Sequence, residues 1–147
     1  MTDFAPGDIV EIETTKGLAY LQVTHRHSSY PEVVRMLPGL RVSRPDNFSD
    51  LARQASVFTA MVPLGGTIDQ NRIVGRKVAT APIPAADQAF PTFKMAIRDK
   101  QGAVAYWWFW DGDSLRYDEA PGPEAETMSQ REVLTAFALL ERIEAQA

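Results

Sequence analysis

The sequence contains no cysteine. That absence excludes disulfides, thiol nucleophiles and the common structural zinc sites together, and it fits a reducing compartment, so a cytoplasmic protein is expected. Histidine is scarce, with only His25 and His27. Two residues apart on an extended segment they project to one side, as metal ligands on a strand can, but no third ligand is marked, and neither a metal nor another cofactor is expected. Long apolar runs are also lacking. The longest, Ala103 to Trp110, has about eight residues where a membrane-spanning helix needs about 20. The N-terminal stretch holds Asp3 and Asp8 and no base, unlike a secretory signal, so no membrane association is expected. Basic clusters are small, none exceeding Arg72, Arg76 and Lys77, which speaks against nucleic acid as a partner.

Catalytic signatures are missing as well. Ser28-Ser29 lacks an elbow motif, and Gly65-Gly66 matches neither a P-loop nor a dinucleotide fingerprint. Asp111, Asp113, Asp118 and Glu119 crowd one turn, yet the calcium-loop pattern is not there, and nothing fixes the separation an acid/base pair would need. These carboxylates read as negative surface. No catalytic residue is assigned, and a non-enzyme is expected.

What is present is a chain of 147 residues, the usual size of a single domain. Its net charge of −4 is uneven, since Asp111 to Ala147 carries nine acids against three bases. Strand-type alternation marks Ile9 to Glu13, where Val10 and Ile12 share a face, and Leu18 to His25, with Ala19, Leu21 and Val23 opposite Tyr20, Gln22 and Thr24. With Glu32 to Leu37 these predict a three-strand meander. Arg44-Pro45-Asp46-Asn47 offers caps for a short helix over Phe48 to Ala55. Val57 to Leu64, ending at Gly65-Gly66, and Arg72 to Thr80 read as further strands, with the prolines at 82 and 84 confining the next stretch to an edge or connector. Phe93 to Arg98 and Ala103 to Trp110 form the strongest predicted hairpin, and Asp111-Gly112 a second sharp turn returning through Ser114 to Tyr117. After a connector at 119–128, Ser129 and Glu132 have capping-box spacing, and Val133, Ala136, Phe137, Leu140 and Ile143 repeat at helical spacing.

The aromatic strand is the most unusual feature. Tyr106, Trp108 and Trp110 point one way, Ala105, Trp107 and Phe109 the other. Two readings stand. The strand is central, covered by the C-terminal helix and the remaining sheet, or one face is left as a groove beside the acidic turn, with Trp108, Trp110, Asp111, Asp113 and Asp118 as partner-binding residues.

Phe4-Ala5-Pro6-Gly7-Asp8-Ile9-Val10-Glu11-Ile12 and Gly17-Leu18-Ala19-Tyr20-Leu21-Gln22-Val23 resemble the opening of the immunity protein 26 family, bacterial proteins held to neutralise polymorphic toxins. Trp107-Trp108-Phe109-Trp110-Asp111-Gly112 is similar to a tryptophan-rich strand and turn of other bacterial proteins. The resemblance implies a binding inhibitor and transfers no catalytic residue. The expected architecture is α+β: one domain with a β-rich body at 1–118, built on a twisted, mainly antiparallel sheet or partly open barrel, a short middle helix and a C-terminal helix at 129–147. The expected function is a protein-binding module, an immunity-type inhibitor whose partner is a basic toxin domain. A small-ligand or regulatory β-domain using the tryptophan groove is the alternative.

Overall fold

Alternating side chains make β1 (Asp8–Thr14), β2 (Gly17–His25) and β3 (Glu32–Met36) a meander, and the computed structural model, which describes residues 2–147, pairs them antiparallel as the alternation predicts. β4 (Thr59–Val62) and β5 (Gly75–Thr80) complete a five-stranded sheet of order β4-β3-β2-β1-β5. A separate three-stranded sheet, β6-β7-β8, holds β6 (Phe93–Arg98), β7 (Val104–Trp110) and β8 (Leu115–Asp118). The fold is α+β and antiparallel. Its chain divides into two compact units, one of residues 1–88 with 133–147 and one of residues 89–132, so the division falls inside the stretch read as one β-rich body.

In the larger unit both faces of the sheet are buried. Val10, Ile12, Leu21, Val23, Val34 and Met36 share one face with Leu134 and with Leu139 and Ile143 of α3 (Ala136–Glu144). Full burial of such side chains is worth about 1.5–3 kcal/mol each. The opposite face carries Ile9, Tyr20 and Leu37 under Leu51 and Ala52 of α1 (Phe48–Ala52). This second layer was not expected from the pattern, which placed Glu11, Tyr20 and Gln22 on the polar side; all three are buried.

Helix α1 starts as expected, with the Asn47 side chain accepting the Asp50 N–H at 3.1 Å. Two helical expectations need correction. α2 (Leu64–Asp69) takes up Gly65 and Gly66, which were read as a strand stop; a Cβ at Gly65 would run into the Thr2 carbonyl, so glycine there permits close approach. α3 begins at a Thr135 cap and not at Ser129, because Leu134 N–H is committed to Met61 O (2.9 Å) in an extended bridge beside β4. Val133 and Phe137, expected in the core, are exposed, Phe137 by 75%.

The smaller unit is built around β7, the centre of its sheet. Phe93, Phe109 and Trp110 are its buried large side chains. Phe90 closes over Trp110 at 5.3 Å and Phe93 at 6.2 Å, both edge to face. Residues 129–131 run along β6 in parallel, with Lys94 N–H donating to Ser129 O and Arg131 N–H to Lys94 O. Among the described residues no helix is long and apolar enough to cross a membrane.

Candidate functional site

Polar chemistry in the larger unit is concentrated on the α1 side of the sheet. Arg35 is fully buried, with Nε donating to Gln22 Oε1 (2.8 Å), Nη1 to Gln54 O (3.0 Å) and Ser56 Oγ (3.2 Å), and Nη2 to Ala52 O. Asp87 lies 3.8 Å from the guanidinium and accepts from Ser56 Oγ. Burial lowers the arginine's pKa and Asp87 opposes that. Each nitrogen of the guanidinium has a partner, so Arg35 staples the end of α1 and the following loop to the sheet.

Glu11, 2% exposed, is held in the same way. Oε2 accepts from Tyr20 OH and Arg44 Nε, each at 2.8 Å, and Oε1 accepts from Arg44 Nη2 (3.1 Å) and Arg76 Nη1 (2.9 Å). Arg44 holds the carboxyl below its ordinary pKa against the opposing effect of burial, helped by Tyr20 and Arg76. Burial, then the bond to Glu11, pushes the Tyr20 phenol up. The pair is a structural lock on the sheet.

His25 bridges Thr24 Oγ1 (2.9 Å) and the Gln88 carbonyl (2.8 Å), while His27 Nδ1 accepts the Ser29 N–H and its ring meets Tyr30. Among the described residues no group of three or more histidine or acidic side chains is placed to hold a metal ion.

The smaller unit is different. Cross-strand register pairs Trp108 with both Met95 and Tyr117, and Tyr106 with Ile97, which puts these side chains on one face. There Tyr106, Trp108 and Tyr117 form a triangle of edge-to-face rings with centroids 5.9–6.2 Å apart. Tyr106 and Trp108 are half-buried and Tyr117 is 64% exposed. Each ring's only ring neighbours among the described residues are the other two.

Of the five residues expected to bind a partner, Trp108 therefore lies in an open aromatic face. Trp110 lies at the other end of that face but is only 5% exposed, packed by Phe90 and Phe93 with the Arg131 guanidinium 5.3 Å from its ring centre. Asp111 shapes the turn: Oδ1 accepts the N–H groups of Ser114 (2.9 Å) and Asp113 (3.1 Å), and these bonds lower its pKa. Asp118 Oδ1 accepts the Ala120 N–H (3.0 Å), and Asp118 belongs to the register pair with Trp107, on the opposite face. Asp113 is exposed at the tip of the turn.

Tyr106 and Tyr117 are the residues missed. Centring the Asp111–Ser114 turn on Gly112 and Asp113 pairs Trp110 with Leu115 and thus Trp108 with Tyr117, so the signal was in the turn. On the other face Trp107 lines a cleft of about 490 Å³ with Lys94, Pro121 and Pro123. Lys94 is held there by the Ala125 carbonyl at 2.8 Å. Compared with known proteins, the chain matches no family model, no curated protein and no solved structure.

Proposed function

We propose that this chain is a protein-binding module, an immunity-type inhibitor of a bacterial toxin that acts by occupying its partner and not by chemistry. The observation that carries this reading is the open Tyr106–Trp108–Tyr117 face on the three-stranded sheet, with the Asp111–Ser114 turn at one end. Tyrosine and tryptophan are the residues most enriched at binding hot spots, since they supply large contact area at low entropic cost. The unit that displays them holds eight acids against five bases, a net charge of −3, which suits a basic partner and speeds encounter with it. The Gly7-Asp8 strand opening supports the immunity reading by resemblance. A second reading, a small-ligand domain, rests on the Trp107 cleft alone.

The test is co-expression with a panel of basic polymorphic-toxin domains, including any encoded beside this gene, with growth and isolated complexes as readouts. One domain neutralised through a stoichiometric complex is expected. Toxicity unchanged across the panel, with no complex formed, would count against the immunity reading.

A further inference from the structure

We propose that the Tyr106–Trp108–Tyr117 platform seats an arginine side chain presented by a basic partner protein. This rests on the protein-binding reading above and gives that partner its chemistry. The same sheet already makes this type of contact three times with its own cations. Lys94 Nζ lies 5.6 Å from the Trp107 ring centre, Arg116 Cζ 4.4 Å from that of Phe109, and Arg131 Cζ 5.3 Å from that of Trp110. Each lies within the roughly 6 Å over which a ring's negative face attracts a cation. Two bases of the unit remain, Arg98, which donates to Gly102 O at 2.9 Å, and exposed Lys100 in the β6–β7 turn. Tyr106, Trp108 and Tyr117, by contrast, have no cation on their rings among the described residues and only each other as ring neighbours.

Geometry selects the guest. With centroids 5.9–6.2 Å apart and planes 61–70° to one another, the three rings fill the space between them, so there is no cage for a compact ammonium to enter. A flat guanidinium needs no cage. It stacks on an exposed ring and directs its fork of N–H donors at neighbouring acceptors, here the phenol oxygens of Tyr106 and Tyr117, which make no hydrogen bond among the described residues. The net charge of −3 favours any cation, and the packed triangle favours the planar one.

The experiment uses the full chain and the indole N–H signals of its tryptophans in a ¹H–¹⁵N spectrum, assigned by single Trp→Phe variants. N-acetyl-arginine amide is titrated in, with N-acetyl-lysine amide and N-acetyl-glutamine amide as parallel probes. A saturable shift of the Trp108 signal with the arginine probe is expected, several-fold weaker with lysine and none with glutamine, while Trp107 and Trp110 stay in place. Tyr117→Ser, at an exposed position, should weaken the arginine response about 5-fold, close to 1 kcal/mol, and leave the rest of the spectrum unchanged. An unmoved Trp108 signal, all three indoles moving alike, or an equal response to lysine or glutamine would overturn the proposal. If a toxin complex forms and Tyr117→Ser leaves its affinity intact, the arginine seat is wrong while the protein-binding reading stands. A selective arginine response beside an empty toxin panel supports the seat and removes only the immunity reading.

Discussion

The larger unit buries aliphatic layers on both faces of its sheet, and the charges buried within it, Arg35, Glu11 and Asp8, are each held by several named partners. The smaller unit has few aliphatics and covers its aromatic rings with cations: Lys94 on Trp107, Arg116 on Phe109, Arg131 on Trp110. The first arrangement spends its polar groups on holding itself together; the second leaves a face of Tyr106, Trp108 and Tyr117 outside that bookkeeping. Recognition should therefore belong to the smaller unit and stability defects should be largest in the larger one.

Arg35→Met tests this most severely. It would leave the Ala52 and Gln54 carbonyls, Gln22 and Asp87 facing an apolar chain, at a cost of about 3–5 kcal/mol read from urea unfolding by far-UV circular dichroism. A loss under about 1 kcal/mol would mean the buried network is replaceable, and the contrast between the units would weaken. Next comes Leu139→Ala in α3, expected to cost about 2–5 kcal/mol as a fully buried leucine.

Gly112→Ala probes the smaller unit. Gly112 has φ +94°, and an added Cβ would lie 2.7 Å from the Phe90 ring, so a loss of more than about 1 kcal/mol is expected. Because Trp107, Trp108 and Trp110 all lie on β7, tryptophan fluorescence reports this unit selectively. If the fluorescence transition shifts while circular dichroism keeps a second, unshifted one, the units unfold separately; a single common shift makes their difference one of composition only.

Acid should act first on the larger unit. Glu11 and Asp8 both have folded pKa values below their free ones, Glu11 mainly through Arg44, Asp8 because bonds from Ala5 N–H, Lys77 and Thr80 outweigh the upward push of burial. Groups lowered in this way contribute stability that is fully present above their unfolded values, about 4. It is lost as pH falls through the lower folded ones. Glu11→Gln should flatten the decline below about pH 5, modestly, since Arg44 and Arg76 are half-exposed and screened. An unchanged slope would show that the lock carries no linkage. The smallest effect is expected from Phe137→Ala, within about 0.5 kcal/mol, because a 75% exposed ring has little burial to lose.

Phe137 also shows where the sequence was readable and where it was not. Strand phase was legible: Val10 with Ile12 and Leu21 with Val23 share the faces their alternation assigns. So was the β6–β7 hairpin, whose loop Asp99–Ala103 carries its own turn residues. Burial of the polar face was hidden, since Glu11 and Gln22 look solvent-facing until Arg44, Arg76 and Arg35 arrive from segments far along the chain. The Ser129 capping signal lost to long-range extended pairing with β6 and β4, which local spacing does not reveal. At the candidate site Trp108 was visible by type. Its partner Tyr117 needed the register, and the burial of Trp110 needed Phe90, twenty residues upstream.

The larger unit's chain leaves after Gln88 and returns only at Val133. Synthesis on the ribosome is directional, so the five strands emerge before the segment carrying Leu134, Leu139 and Ile143 exists. At about 5–20 residues per second, the wait from Thr80 to Leu139 is roughly 3–12 s, long compared with hydrophobic collapse. During that interval the face of Val10, Leu21, Val34 and Met36 has Leu64 and Ile68 of α2 against it but lacks Leu134 and α3, and the smaller unit, which ends at Glu132, is completed only near the close of the wait. The nascent protein should thus be most vulnerable to aggregation and most dependent on chaperones in the seconds between the emergence of β5 and the arrival of α3.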